Sequence, residues 1–137
     1  MATSTSSTSA TPAIAVTGYA HVAVLVDDVD AALAFYCDAL GFERLPRPDL
    51  GPGEWLRLGT ADLHLLLAQE MPAPGRPHIA LHVPPERFDE TMAQLEARGI
   101  PLQRGPSSRV DFGTTVRAAV IADPAGNPIE LTDAATA

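Results

Sequence analysis

The chain nearly repeats itself. His21-Val-Ala-Val-Leu-Val opens one half and His78-Ile-Ala-Leu-His-Val opens the other. Each copy runs into an amphipathic stretch that closes on a glycine and an apolar residue, Gly41-Phe42 and Gly99-Ile100. A duplicated strand–helix unit with a histidine at the same place in both copies predicts paired halves that aim both histidines at one shared cleft. Two imidazoles converging on a point make a metal-site geometry.

The local signals repeat in order. Tyr19 to Val26 reads as a strand, and Asp27 and Asp28 offer an N-cap. Val29, Leu33, Tyr36 and Leu40 then form one apolar helical stripe, stopped by Gly41. Phe42 to Pro46 reads as a short strand, Pro46 to Gly53 as a loop, and Glu54 to Leu58 and Asp62 to Ala68 as a hairpin. Gln69 to Pro77, with three prolines and a glycine, is the linker between halves. In the second half, His78 to Val83 is a strand and Pro84-Pro85 starts a helix whose buried stripe is Phe88, Met92 and Leu95. Strands are expected over Pro101 to Gln103, Thr114 to Ala122 and Ile129 to Thr132, with loops over Arg44 to Gly53 and Gly105 to Gly113. The order β-α-β-β-β therefore occurs twice. The expected fold is α+β: two tandem βαβββ modules, about 17–70 and about 76–134, forming a curved, cupped mixed sheet with helices on the outside. Residues 17–137 form a single domain in this reading, and the cup is the ligand site.

Composition removes several functions. The formal charge of -8 argues against a nucleic-acid backbone as partner. All nine basic residues are arginine, so Schiff-base chemistry and lysine-anchored pyridoxal phosphate are excluded. Cys37 is the single cysteine, which rules out an intrachain disulfide and reads as a small core hydrophobe. No apolar run is long enough to span a membrane. Residues 1–16 are rich in Ser, Thr and Ala without the basic and apolar regions of a secretory signal. They read as a disordered tail, and a cytoplasmic location is the expectation.

Strand parity picks out the chemistry. Residues two apart share a strand face. His21 lies opposite the branched face of Val22, Val24 and Val26, which suits a helix-covered core. His78 and His82 share the equivalent face of the second copy. The last strand of the first half carries His64 and that of the second carries Glu130, each interrupting an apolar run. A carboxylate and an imidazole in apolar strands are costly unless paired or ligated. Three imidazoles and one carboxylate on four strands make a coherent donor set for a divalent transition metal. Trp55 and Arg57 share a strand face and would line the cup, where an aromatic and a guanidinium suit an anionic or planar ligand, or they form a plain half-exposed strand face. Arg117 reads in the same two ways, and His82 lies farther along the cup.

Three stretches together resemble the vicinal oxygen chelate superfamily, which includes glyoxalase I, methylmalonyl-CoA epimerase, extradiol dioxygenases and the bleomycin- and fosfomycin-resistance proteins. They are His21-Val-Ala-Val-Leu-Val-Asp-Asp through Phe35-Tyr36-Cys37-Asp38-Ala39-Leu40-Gly41-Phe42, His78-Ile-Ala-Leu-His-Val, and Ile121-Ala-Asp-Pro-Ala-Gly-Asn-Pro-Ile-Glu-Leu. The resemblance implies one divalent ion (Zn, Ni, Co, Mn or Fe(II)) on His21, His78 and Glu130, with His64 at the fourth-strand position. Glyoxalase I usually has glutamate there and the epimerases glutamine. In extradiol dioxygenases a histidine on the corresponding strand is an acid–base group, but the tyrosine that those enzymes carry before the last-strand glutamate is not evident in Val116-Arg-Ala-Ala-Val-Ile. His64 is thus a fourth ligand or a proton shuttle, and Glu130 a ligand that can also move protons. Expected function follows: a metal-dependent lyase, isomerase, epimerase or extradiol-type dioxygenase whose ion chelates neighbouring oxygens of a small substrate. The alternative is a metal-free cup that binds a drug or other small molecule. A homodimer is implied, with modules pairing within a chain or between chains.

Overall fold

The computed structural model describes residues 12–15, 17, 19–46, 53–73, 77–111 and 113–134. Most of the expected tail over 1–16, the centre of the loop over 46–53 and three linker residues, 74–76, lie outside them.

The first module holds β1 (Val22–Val26), α1 (Val29–Leu33), β2 (Glu43–Arg44), β3 (Glu54–Leu58) and β4 (Ala61–Leu67). The second holds β5 (Ile79–His82), α2 (Phe88–Ala97), β6 (Arg104–Asp111), β7 (Thr114–Ala122) and β8 (Pro128–Thr132). Each module forms one four-stranded mixed sheet, in the orders β1-β4-β3-β2 and β5-β8-β7-β6. The first strand pairs in parallel with the last, and the others pair antiparallel. The α+β, doubled βαβββ expectation therefore holds, and β1 and β5 each sit at a sheet edge.

Local causes match the sequence at most boundaries. Asp28 caps α1 by accepting from the Ala31 N–H at 3.0 Å. Beyond Leu33 the helix widens into a π-helical segment, Ala34–Ala39, which places Phe35 and Tyr36 side by side in the core. A 3₁₀ turn, Pro85–Arg87, leads into α2, and Gly99 leaves that helix with φ +71°. Gly53 is required by a close approach: a Cβ there would lie 1.8 Å from the Leu65 carbonyl oxygen.

One strand lies elsewhere than expected. The segment Pro101 to Gln103 is not a strand, while Arg104–Asp111, read as loop from its Gly, Pro and Ser content, pairs with β7 along its length. It is an edge strand, where a proline costs no shared ladder bond. A register shift between Arg104 and Ser107 bends it.

A single core joins the modules. Val26, Phe35, Tyr36, Leu56, Leu63 and Leu65 of the first pack in one cluster with Val83, Leu95, Ile121, Ile129 and Leu131 of the second. A polar hub crosses the same boundary. Asp123, 3% exposed, accepts from the Tyr36 hydroxyl at 2.7 Å and from the backbone N–H groups of Ala125 and Asn127. Asn127 Nδ2 donates both to Asp123 and to the Leu25 carbonyl on β1. Burial, with the adjacent Asp123 carboxylate, pushes the Tyr36 phenol well above its ordinary pKa.

Candidate metal centre and cup

The helices cover one face of each sheet, as the burial of Leu63, Leu65, Ile129 and Leu131 shows. The polar residues singled out by parity fall on the other faces, in two groups.

On the first sheet His64 lies across from Ala23 on β1 and from Trp55 on β3. His64 stacks on Trp55, with ring centroids 4.1 Å apart and planes 7° from parallel. His21 meets Trp55 edge-on at 4.8 Å, and its centroid is 6.2 Å from that of His64. Arg57 follows Trp55 on this face, bound to Asp62 through Nε at 2.8 Å and Nη2 at 3.4 Å. That hydrogen bond, more than charge alone, holds the Asp62 carboxyl below the usual carboxylate range.

On the second sheet His78 enters β5 beside β8, and its Nε2 lies 3.1 Å from Glu130 Oε1. Arg109 Nη2, from β6, donates to Glu130 Oε2 at 2.7 Å. Glu130 is 7% exposed, so its charge is carried inside the protein by an imidazole on one oxygen and a guanidinium on the other. The cost of a carboxylate in an apolar strand anticipated that Glu130 needs a partner, but gave no sign of Arg109, which sits on the strand read as a loop. His82 shares the His78 face and is exposed.

Arg117 is brought to neither group. It lies between Val116 and Ala118 on β7, one step out of phase with the Glu130 face. There it packs over the Phe88 ring at 4.5 Å and binds Asp133, Asp89 and the Pro85 carbonyl. Burial raises the Asp133 pKa, but the Arg117 amide and guanidinium outweigh it and hold the carboxyl below its ordinary value.

The donor chemistry fits a divalent ion at His78 and Glu130. An imidazole nitrogen and a carboxylate oxygen are donor types that such ions take, and here the two atoms stand within hydrogen-bond distance of each other at 3.1 Å. Among the described residues of one chain, no group of three or more His, Cys, Asp or Glu side chains converges further. The His21–His64 pair and the His78–Glu130 pair belong to separate sheets. A cleft of about 380 Å³ opens between β1 and the start of β5, walled by Val22–Leu25, His78 and the turn from Ala125 to Pro128.

Doubled βαβββ sheets with histidines and a glutamate on the uncovered faces define a class of protein. The profile of the Glyoxalase/Bleomycin resistance protein/Dioxygenase superfamily matches residues 18–131, and the chain belongs to this family. A glyoxalase family protein from Bacillus anthracis is 28% identical, with a TM-score of 0.73 over 88% of this chain and 97% of that one. The fosfomycin resistance protein FosX from Listeria monocytogenes shares the fold at 19% identity, with a TM-score of 0.77 over 88% of this chain and 94% of that one. An integron cassette protein from the Halifax Harbour Sewage Outfall metagenome does so at 22% identity and a TM-score of 0.73, covering 87% and 100%. No functionally curated protein matches the chain. Among the described residues, no helix is long and apolar enough to cross a membrane.

Proposed function

We propose that this chain is a metal-dependent enzyme acting on a small molecule with two neighbouring oxygens, and that it works as a homodimer. The observation that carries the reading is the 3.1 Å approach of His78 Nε2 to Glu130 Oε1 on adjoining strands. His78 and Glu130 are the first two ligands. His21 is the third, supplied by a second copy, since His21 sits on the other sheet and β1 and β5 are both edges at which a second chain can dock. A divalent ion held there supplies Lewis acidity to the substrate oxygens. His64, stacked on Trp55 and facing His21, is held in one orientation and serves as the proton carrier or a fourth ligand. Lyase, isomerase, epimerase and extradiol dioxygenase chemistry all fit this frame.

A second reading has its own support. Arg109 and His78 already occupy both oxygens of Glu130, so the carboxylate is satisfied without an ion. That suits a metal-free binding cup.

Metal content by mass spectrometry separates the two. Wild-type protein is expected to carry about one equivalent per chain, and the His78→Ala, Glu130→Ala double variant none. Wild-type protein that stays empty after reconstitution refutes the enzyme reading. Mixing His21→Ala with Glu130→Ala chains tests the shared site. Random pairing is expected to restore about a quarter of the wild-type sites, because each mixed dimer keeps one intact set. No recovery refutes sharing between chains.

A further inference from the structure

We infer that Trp55 is a positioning residue of the site: its indole holds the imidazole of His64 by the face and that of His21 edge-on, so that the two histidines are oriented as one unit. The inference rests on the reading proposed above for the roles of His21 and His64.

The backbone holds the three rings unequally. His64 lies within β4, between Ala23 of β1 and Trp55 of β3. His21 is exposed and stands one residue before the first paired residue of β1, a strand at the sheet edge. It lies outside the paired run, so its ring takes its place from side-chain neighbours. Trp55 has the opposite setting. Its strand is paired on both sides, by β2 and by β4, and the Trp55 carbonyl also accepts from the Leu45 N–H at 2.8 Å. A half-buried indole on an interior strand is therefore the fixed member, and the rings of His64 and His21, at 4.1 and 4.8 Å, are placed against it.

The second module shows what the indole adds. Val120 occupies the place of Trp55: it lies across from Glu130 as Trp55 lies across from His64, and its carbonyl accepts from the Gln103 N–H at 2.7 Å as that of Trp55 does from Leu45. Glu130 is held there through its oxygens, by His78 and Arg109. An imidazole anchored in the same manner would spend a ring nitrogen on its anchor. A stack grips the ring through its face and consumes neither nitrogen, which suits a histidine that must carry a proton or bind an ion. Sharing one indole also couples the two rings. A His64 ring that turns out of its 7° alignment displaces the indole against which His21 sits. Removing a partner that orients a metal ligand typically costs about 10–100-fold in metal affinity.

Side-chain NMR of the metal-free full-length protein and titration with zinc ions test this. The chain has four histidines, and the ring C–H signals of His64 are expected to be displaced by the indole face relative to those of exposed His82. Trp55→Leu is expected to move the signals of His21 and His64 together while those of His78 and His82 stay in place. The same variant should bind zinc about tenfold more weakly or worse. Trp55→Phe keeps an aromatic face and should recover most of that affinity. Leu56→Val, on the helix-covered face of the same strand, lowers stability and should leave zinc affinity unchanged. In a His21→Ala, His64→Ala background, Trp55→Leu should have no further effect on zinc, because the indole acts through those two rings. Zinc affinity unaltered by Trp55→Leu, an equal loss in the double-alanine background, or His21 ring signals that do not respond overturns the proposal. Zinc bound by neither wild type nor variant refutes the metalloenzyme reading alone, because the ring signals of the metal-free protein still support or overturn the clamp.

Discussion

Replacing Asp123 with asparagine should loosen the junction between modules, by an amount that follows from its four donors. Oδ1 accepts the backbone N–H groups of Ala125 and Asn127 at 2.9 and 2.8 Å. Oδ2 accepts the Tyr36 hydroxyl at 2.7 Å and Asn127 Nδ2 at 2.8 Å. An amide NH₂ at the first position faces two fixed donors. At the second it faces a hydroxyl that can rotate to accept and an amide that cannot. Either orientation loses charge-assisted bonds and leaves a donor mismatched in a buried site, at a cost of about 2–4 kcal/mol. Tyr36→Phe removes one donor and leaves Asp123 the other three, so it should cost only about 1–2 kcal/mol. Urea unfolding at pH 7 measures both, and at about 4 °C per kcal/mol the asparagine variant should melt roughly 8–15 °C lower. An asparagine variant within about 0.5 kcal/mol of wild type, or a phenylalanine variant costlier than it, would falsify this account of the hub. The alkaline limb gives a second check. The folded pKa of Tyr36 is raised, so its contribution is complete below the unfolded phenol pKa of about 10 and is lost as pH climbs toward the folded value. Lysine is absent, so few other groups titrate there, and Tyr36→Phe should flatten that decline.

Other substitutions probe other parts of the argument. Gly53→Ala should destabilise the first sheet by about 3 kcal/mol or more in the same urea assay, because a Cβ meets the Leu65 carbonyl at a φ of +103°; a neutral result would mean that β3 and β4 separate easily. Arg117→Met should lower stability by about 1–3 kcal/mol while leaving metal content at the wild-type value, since Arg117 serves the helix-covered face; a change in metal content would place it in the cup. The folded pKa of Asp133 is depressed, so its contribution is present above about pH 4 and is lost as pH falls through the folded value. Asp133→Asn should therefore narrow its deficit against wild type in acid unfolding curves, and a deficit constant with pH contradicts the pairing.

What the sequence determined by itself was local and periodic. The duplicated strand–helix pattern carried the α+β modules, because amphipathic periods and caps depend on neighbours a few residues apart. Polar residues interrupting apolar runs were enough to single out Glu130 and His64, since a carboxylate or an imidazole in an apolar strand is costly without a partner. Tertiary structure alone decided which of these groups meet. His78 and Glu130 are 52 residues apart and Tyr36 and Asp123 are 87 apart, so their contacts depend on sheet order and module packing, which no local period encodes. The same reason hid β6. Gln103-Arg-Gly-Pro-Ser-Ser-Arg has the residues of a turn and no alternation, and it is a strand because β7 offers its free edge. With β6 went Arg109, which holds the far oxygen of Glu130.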